Sequence, residues 1–210
     1  MKILIYDCEI ANAVPQRRES IIPNINYCKG WSDFQGMGIA CVTAYDYHLE
    51  QYRVFLEDNL NDFAALVDDS DLIVGFNNNR FDDDLVAVNG IVINPDKTYD
   101  ILQEIWLAAG HGYVRDRDAF EYKIHGGYSL DNVVQVNFKL SKSGKGAAAP
   151  ILWQQNKRGQ VIDYGLTDTW LTKRTFDQIL ATGQLLDPKT GRTLDLAKPL
   201  DRLPERDPTA

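Results

Sequence analysis

The spacing of apolar positions at the start of the chain is typical of β-strands. Residues 2–6 (KILIY) form a short, apolar and β-branched run, as expected of a buried strand. Residues 36–58 predict two further strands joined around Asp46 and Tyr47, and the alternation in YRVFL supports the second of these. Residues 71–76 (DLIVGF) predict a fourth strand.

Helical spacing becomes frequent after the first three strands. Apolar residues at i, i+3 and i+4, with capping residues at the ends, predict helices over 58–69, 80–90, 96–110, 128–138 and 161–183. Residues 11–34 and 139–150 predict loops, and residues 185–196 predict a hairpin. Three early strands followed by alternating strands and helices predict an α/β protein with a mixed sheet. We expect one domain over residues 1–183, followed by a C-terminal hairpin and frayed tail over 184–210.

The composition of the chain is that of a globular protein with an acidic balance. Its 210 residues are 44% hydrophobic and 25% charged, which is too apolar for a disordered chain. The formal net charge of −8 argues against a protein that coats duplex DNA or an anionic membrane through bulk charge. It does not exclude an enzyme that binds a polyanion through metal ions, because bound divalent ions are strong local charges.

Cysteine and histidine are too sparse for a zinc framework. The three cysteines, Cys8, Cys28 and Cys41, are odd in number, no two stand at CxxC spacing, and the chain has three histidines. We therefore expect reduced thiols and a cytoplasmic, intracellular protein. The apolar run at the amino terminus is too short for a signal peptide, and no stretch approaches the roughly 18 apolar residues of a membrane span, so no membrane partner is expected.

Two carboxylates stand where the first predicted strand leaves the core. Asp7 and Glu9 are two positions apart, and side chains at i and i+2 of an extended strand share a face, so both carboxylates can reach one point. Burial of an unpaired carboxylate is costly. Either the strand has reached solvent at this position, or a positive charge lies beside it.

Two later segments also place acids at defined positions of helices. Asp82, in GFNNNRFDDDL, falls in the first turn of a predicted helix, where the helix dipole favours an anion, and Phe81 would anchor that turn in the core. Tyr164 and Asp168, in YGLTD, are four positions apart and project from one face of the last long helix. Taken alone, each feature is better explained by an ordinary acid at a helix start or in solvent, beside a packing residue.

The ordered set of these motifs resembles the DEDD superfamily of 3′–5′ exonucleases, in its tyrosine-bearing DEDDy branch. The matching residues are Asp7 and Glu9 in YDCEI, Asn77, Phe81 and Asp82 in GFNNNRFD, and Tyr164 and Asp168 in YGLTD. Phe76 stands where the family often has histidine, a position that is not one of the metal-binding acids. The motifs extend over about residues 2–180, and they are similar to those of the proofreading exonuclease domains of DNA polymerases.

The resemblance implies a ribonuclease H-like fold, in which a five-stranded mixed sheet with its first three strands antiparallel is flanked by helices. The four strands predicted above agree with this arrangement. The pattern does not reveal the fifth strand, for which residues 91–97 and 113–124 are the candidates.

The resemblance also implies a metal-dependent chemistry. Four acids would hold two divalent cations, and oxygen ligands without cysteine or histidine favour Mg²⁺ or Mn²⁺. Two such ions about 4 Å apart can clamp the attacking and leaving oxygens of a phosphodiester. Asp7 would bridge both ions, and Glu9 and Asp168 would complete the ion nearest the attacking water. Asp82 would act on the second ion, directly or through water. Tyr164 would orient the attacking water, because a phenol with a pKa of about 10 is a poor base at neutral pH.

The substrate implied by the resemblance is the 3′ end of a single-stranded nucleic acid, with DNA favoured over RNA. Its product would be a nucleoside 5′-monophosphate. Ile10 and Ala11, directly after the first motif, would contact the terminal nucleotide, and Asn77 and Phe81 would complete its binding site.

Several residues outside the motifs carry two interpretations each. Lys139, Lys142 and Lys145 either approach backbone phosphates or belong to a solvated linker. We expect Asp100 to cap a helix or support the site, and Asp83 to be solvated. Three aromatic residues are candidates for stacking on bases, although such residues more often belong to a core: Trp31, Phe34 and Trp153.

Three other functions remain compatible with the motifs. A binding or scaffold module on the same fold could have lost catalysis, although such a module need not keep all four acids and Tyr164. An exoribonuclease directed at RNA would differ in how it meets the 2′-hydroxyl group. An endonuclease or another ribonuclease H-like phosphoryl transferase would carry its acids in a different order and leave the tyrosine motif unexplained.

Overall fold

The computed structural model describes residues 1–16, 20–112, 114, 119–144 and 146–199. The strands are β1 (Ile3–Ile10), β2 (Ile39–Asp46), β3 (Gln51–Phe55), β4 (Leu72–Gly75), β5 (Thr98–Asp100), β6 (Gln184–Leu186) and β7 (Thr193–Asp195). The α-helices are α1 (Phe34–Met37), α2 (Leu60–Asp69), α3 (Asp82–Ala87), α4 (Ile101–Ala108), α5 (Tyr122–His125), α6 (Leu130–Phe138), α7 (Ala149–Gln154) and α8 (Arg158–Thr182). Single turns of 3-10 helix lie at Glu57–Asn59, Asn78–Arg80, Pro95–Lys97 and Gly146–Ala148.

Five strands form one mixed sheet in the order β3-β2-β1-β4-β5. The pairs β1–β2 and β2–β3 are antiparallel, whereas β4 runs parallel to β1 and β5 runs parallel to β4. Helices cover both faces of this sheet. The α/β class and the ribonuclease H-like arrangement expected from the motifs are therefore confirmed.

The two faces of the sheet carry two hydrophobic cores, because successive residues of β1 point to opposite sides. Ile3 and Ile5 point toward α4, α8 and the β6–β7 hairpin, where they join Phe176. Leu4 points toward α2 and α3, where it joins Phe63. Removal of this apolar surface from water is the main favourable contribution to folding.

Strand β1 is longer than its apolar run predicts. The sequence suggested a strand over residues 2–6, whereas β1 extends to Ile10 and stays paired with β2 beyond Asp7 and Glu9. Cys8 and Ile10 remain buried on the opposite face. Both acids thus lie inside the strand, on the face toward α8. The predicted strand end was wrong because the prediction stopped where the continuous apolar run stops, whereas buried residues continue at every second position.

The strand that completes the sheet is Thr98–Asp100, and not a segment of either suggested range. Residues 113 and 115–118 of the second range lie outside the described part of the chain. Three residues are too few to show a period, so the sequence assigned this strand to the helix predicted over 96–110. That helix begins only after the strand, where Asp100 caps α4 by accepting two backbone N–H groups of its first turn.

The C-terminal hairpin packs on the same core as the sheet. Leu185 and Leu194 are buried in the cluster that contains Ile3 and Phe176, and the Tyr99 hydroxyl donates a hydrogen bond of 2.8 Å to the carbonyl of Ala197. The hairpin predicted for this segment is therefore present as β6 and β7. Residues 200–210, which include the predicted frayed tail, lie outside the described residues, and a domain boundary at residue 183 stays a prediction.

Helix α8 approaches the sheet closely at a glycine. A Cβ atom added at Gly165 would lie 3.0 Å from Cγ2 and 3.1 Å from Oγ1 of Thr43, and 3.5 Å from Cγ of Glu9. The hydroxyls of Thr43 and Thr169 are hydrogen-bonded at 2.8 Å beside this contact. This close approach sets the distance between α8 and the two acids of β1.

We expect Gly165→Ala to lower the free energy of unfolding by about 1–3 kcal/mol, because the added methyl group overpacks the contact with Thr43. Gly159→Ala is the matched control in the same helix, since a Cβ at that position meets nothing within 4 Å. Urea unfolding of both variants measures the difference. Equal stability of the two variants would contradict a close packing of α8 on β2.

Candidate metal centre

Three carboxylates converge at one point between the sheet and α8. Asp7, Glu9 and Asp168 each contribute an oxygen atom to a group whose members all lie within 4.8 Å of one another. Strand β1 supplies two of these residues from one face, and α8 supplies the third one turn after Gly165. Glu9 and Asp168 are buried, with exposed fractions of 6% and 3%.

Burial and mutual repulsion raise the pKa values of this carboxylate group. The pKa of Asp7 rises from 3.8 to about 8, because burial and the Asp168 charge outweigh the attraction of Lys142. The pKa of Glu9 is raised by burial and by the charge of Asp7. The pKa of Asp168 is raised by burial, against the opposing effect of Lys142. A bound cation would reverse this repulsion and favour the ionised carboxylates.

The donor atoms suit a hard divalent cation. All three converging ligands are carboxylate oxygens, which is the donor type that Mg²⁺ and Mn²⁺ prefer. Oδ1 of Asp168 is buried and has no hydrogen-bond partner among the residues that the structure describes. A buried carboxylate oxygen without a partner costs free energy, and coordination of a cation would satisfy it. The residues present therefore fit such an ion.

Lys142 brings a positive charge to the acids from the loop after α6. Its ammonium group forms an ion pair with Asp168 and lies 5.3 Å from the ring centroid of Tyr164. Its backbone N–H donates a hydrogen bond of 2.7 Å to Asp131, which fixes the loop. The sequence grouped this lysine with two neighbours in an open loop, because nothing in its local pattern indicates that the loop folds back onto α8. Lys145 lies outside the described residues.

Tyr164 lies one helical turn before Asp168 and is 9% exposed. Burial raises the pKa of its phenol well above the ordinary value, although the charge of Lys142 opposes this shift. Gly144 and Gly146 of the loop pack closely against this side chain, since a Cβ at either position would lie 3.2–3.5 Å from the ring or hydroxyl. The phenol is therefore held beside the carboxylates in its neutral form.

Asp82 lies outside the group of three carboxylates. It is the first residue of α3, as predicted, and its carboxylate accepts a 3.0 Å hydrogen bond from the backbone N–H of Cys8 in β1. Burial and the charge of Asp7 raise its pKa. Its side chain lines the same cavity as the other acids.

Asp83 is not a solvated acid, so that expectation was wrong. Its carboxylate accepts hydrogen bonds from the Tyr6 hydroxyl and, at 3.1 Å, from the side-chain amide of Asn78. These bonds tie the start of α3 to β1 and to the turn before it. Phe81, directly before this helix, packs against the rings of Trp31 and Phe34 at centroid distances of 6.1 and 5.9 Å.

Asn77 is held at the end of β4 in a left-handed conformation, with φ at 68°. Asp100 fixes this turn by accepting the backbone N–H groups of Asn77 and Asn79 at 2.9 and 3.2 Å. Burial raises the pKa of Asp100 to about 7, although these and other backbone N–H groups lower it. Asp100 therefore both caps a helix and supports the site. Oδ1 of Asn77 is buried without a partner among the described residues.

Two cavities meet at the acids. The first has a volume of about 270 Å³, and its apolar wall includes Ile10, Trp31 and Phe81, with Asn77 at its edge. Ala11 is not one of its lining residues; its carbonyl accepts a hydrogen bond of 2.9 Å from the side chain of Gln154, which also holds the backbone of Asn26. The second cavity, of about 410 Å³, is also lined by Asp7 and Asp168.

The three aromatic residues that the sequence suggested for stacking on bases lie in different surroundings. Trp31 lines the first cavity and is 48% exposed. Phe34 packs on Phe81. Trp153 packs in a small core with Val161, and Arg158 covers its ring at 4.9 Å. Of these three residues, Trp31 is the one in a position to meet a ligand in the first cavity.

Comparison with known proteins finds a similar fold among solved structures but no similar sequence. No protein-family model matches the sequence, and no curated protein sequence matches it. A solved structure that is similar is the family B DNA polymerase from the hyperthermophilic archaeon Pyrobaculum calidifontis, with 16% identity and a TM-score of 0.52. The match covers 85% of this chain and 24% of the polymerase chain, so this chain corresponds to about a quarter of that enzyme. Within the described residues, none of the helices has the length and apolar character needed to cross a membrane.

The raised carboxylate pKa values predict a stability that falls as pH rises in the absence of metal. The pKa of Asp7 is about 8 in the folded state, against an ordinary value of 3.8. The protonated carboxyl group therefore contributes its full stabilisation to the folded state below pH 3.8, and this stabilisation is lost as the pH rises to about 8. In EDTA at pH 8, we expect the free energy of unfolding of Asp7→Asn to exceed that of the wild type by about 1 kcal/mol or more. The difference should shrink toward pH 4.

Urea unfolding at a series of pH values measures this effect. Asp62→Asn, at an exposed position of α2, is the control and should follow the wild type at every pH. Addition of Mn²⁺ at pH 8 should stabilise the wild type more than Asp7→Asn, because ligand binding to the folded state adds to its stability. A lower stability of Asp7→Asn at pH 8 in EDTA would contradict the repulsion among these acids.

Proposed function

We propose that the protein is a metal-dependent 3′–5′ exonuclease that hydrolyses phosphodiester bonds from the 3′ end of single-stranded nucleic acid. The observation that carries this proposal is the convergence of Asp7, Glu9 and Asp168 within 4.8 Å, with Tyr164 one turn away on α8. The order of these residues along the chain is that of the DEDDy exonucleases. The similar fold of a DNA polymerase supports a nucleic acid as the polymer that is bound.

The metal-binding residues of the proposed site are Asp7, Glu9 and Asp168, with Asp82 acting on a second ion directly or through water. Two bound Mg²⁺ or Mn²⁺ ions would supply a water of lowered pKa and stabilise the leaving 3′ oxygen. The backbone N–H of Cys8 holds the Asp82 carboxylate in place. The catalytic and metal roles of these four acids rest on the motif resemblance and on their donor chemistry.

Tyr164 orients the attacking water in this proposal. Its pKa lies well above the ordinary value of a phenol, so at neutral pH the hydroxyl keeps its proton and acts through hydrogen bonding and not as a base. Lys142 offsets part of the carboxylate charge. An anionic phosphodiester that approaches the acids therefore meets less repulsion than three free carboxylates would produce.

The first cavity is the proposed site of the 3′-terminal nucleotide. Ile10, Phe81 and Trp31 supply apolar and aromatic surface for a base. Oδ1 of Asn77, which has no partner in the described part of the chain, can accept a hydrogen bond from a sugar hydroxyl. Ala11 does not line this cavity, and its proposed part in substrate binding is limited to its place in the chain directly after Ile10. An unpaired strand is favoured because the terminal base must leave its complement to enter an apolar cavity, and DNA is favoured over RNA by the resemblance to proofreading domains.

The direct test uses 5′-labelled DNA and RNA oligonucleotides with Mg²⁺, Mn²⁺ or EDTA. We expect products that shorten from the 3′ end only when metal is present, and a 3′-phosphate should block the reaction. Asp7→Asn should reduce the rate on the order of 1000-fold, because loss of the proposed bridging ligand weakens both metal sites. Asp62→Asn serves as the control with wild-type activity.

The outcome also separates the alternative functions. Internal cuts would indicate an endonuclease, and binding without cleavage in the presence of both metals would indicate a silent binding module. A marked preference for RNA would indicate an exoribonuclease. Full activity of Asp7→Asn would contradict the assignment of the site.

Tyr164→Phe should have a milder effect than loss of an acid. We expect the rate of cleavage to fall about tenfold, the size of one hydrogen bond, with little change in metal affinity. Single-turnover cleavage and Mn²⁺ titration measure the two quantities separately. A loss as large as that of Asp7→Asn would contradict an orienting role for the tyrosine.

A further inference from the structure

The second cavity is a groove whose walls include both the acids and a pair of basic side chains. Asp7, Asp168 and Lys142 line it, and Arg80 and His125 line it as well. We propose that this groove binds the phosphodiester immediately 5′ to the scissile one, through Nε2–H of His125 and the guanidinium of Arg80. This inference rests on the proposed exonuclease function and names the path of its substrate strand.

The hydrogen bonding of His125 determines which of its nitrogens carries the proton. Nδ1 accepts a hydrogen bond of 3.2 Å from the backbone N–H of Glu121. In the neutral ring, Nε2 therefore carries the hydrogen and is a donor. Nε2 is buried and has no partner among the described residues, and the residue as a whole is 6% exposed. A buried donor without an acceptor is unfavourable, so an acceptor supplied by a ligand in the groove would satisfy it.

The position of His125 is fixed by its neighbours. Its backbone carbonyl accepts a hydrogen bond of 3.2 Å from the indole of Trp106. Its ring packs against Trp106 at a centroid distance of 5.0 Å and against Phe120 at 5.6 Å. The donor is therefore held in place before any ligand arrives, which lowers the entropic cost of binding.

The guanidinium of Arg80 packs over the same two aromatic rings. Its guanidinium carbon lies 5.4 Å from the centroid of Trp106 and 5.2 Å from that of Phe120. A cation and a hydrogen-bond donor held in place thus lie against the same two aromatic rings. Among the described lining residues, the acids of the groove are Asp7 and Asp168, both at the metal centre. A phosphodiester accepts hydrogen bonds and carries one negative charge, so it matches the chemistry of both side chains.

The place of the groove relative to the first cavity identifies which phosphate it receives. The two cavities share five lining residues, which are Asp7, Phe76, Asn77, Lys142 and Asp168. A strand whose terminal nucleotide fills the apolar cavity has its scissile phosphate at the shared acids. The chain of that strand then continues 5′ into the groove, where the next phosphate meets His125 and Arg80.

Equilibrium binding of modified oligonucleotides tests this assignment. The probes are 5′-fluorescein-labelled thymidine hexamers that carry one uncharged methylphosphonate, either at the second linkage from the 3′ end or at the fourth. With Ca²⁺ present, we expect the wild type to bind the probe modified at the second linkage about tenfold more weakly than the unmodified hexamer, the loss of one hydrogen bond to a charged group. Modification at the fourth linkage should have no such effect.

Three variants assign the effect to the histidine. His125→Phe keeps the ring in its aromatic surroundings and removes the donor, so it should bind the unmodified and second-linkage probes equally. His125→Gln keeps an N–H donor near the position of Nε2 and should retain part of the difference. His111→Phe is the control, because Nε2 of His111 already has the Tyr128 hydroxyl at 3.1 Å and the residue is not part of the groove wall; it should retain the full difference.

The results separate this inference from the proposed reaction. Equal binding of all probes by the wild type would overturn the groove assignment, even if the enzyme cleaves DNA from the 3′ end. A difference confined to the second linkage would support the assignment, even if no cleavage is observed. The comparison of probes on the wild-type protein is enough to test whether the groove binds the second phosphodiester. The groove assignment is therefore tested even if a His125 variant fails to fold. Retention of the full difference by a folded His125→Phe would overturn the role of the histidine.

Discussion

The repulsion among three carboxylates held together at the edge of a hydrophobic core is the constraint on which the site depends. Asp7 and Glu9 share the face of β1 that continues from the core isoleucines, and α8 closes over them with Asp168. Ionised carboxylates at such distances destabilise the folded protein unless protons or cations neutralise them. In the absence of metal, burial and the charge of Asp168 together raise the pKa of Asp7 to about 8.

Much of the surrounding structure serves to hold these acids in place against that repulsion. Gly165 allows the helix to lie against the strand, and the carboxylate of Asp100 holds the turn that carries Asn77. Lys142 forms an ion pair with Asp168, whose Oδ1 has no hydrogen-bond partner among the residues that the structure describes. An arrangement that is unfavourable alone and favourable with bound cations is typical of a functional site, where stability is exchanged for activity.

The acids form part of the walls of two cavities. One cavity includes Trp31 from the long connection between β1 and β2, and the other includes His125 and Arg80. Trp31 and His125 come from segments in which the sequence has no clear period. The loop after β1 is held by Gln154 of α7, and α5 is held through the indole of Trp106. Contacts between distant segments therefore shape the surroundings of the acids, and local sequence patterns do not reveal such contacts.

The sequence by itself predicted the class of fold, because strand and helix periods are local properties of the chain. The resemblance of its motifs to a known family predicted that Asp7, Glu9 and Asp168 would converge, as they do. The sequence did not reveal β5, which has three residues and no period, nor the true end of β1. Only the tertiary structure decided that Lys142 contacts Asp168 and that His125 lines the groove. The physical reason is that these contacts depend on how loops return to the sheet, and that return is set by packing and hydrogen bonds between residues far apart in the chain.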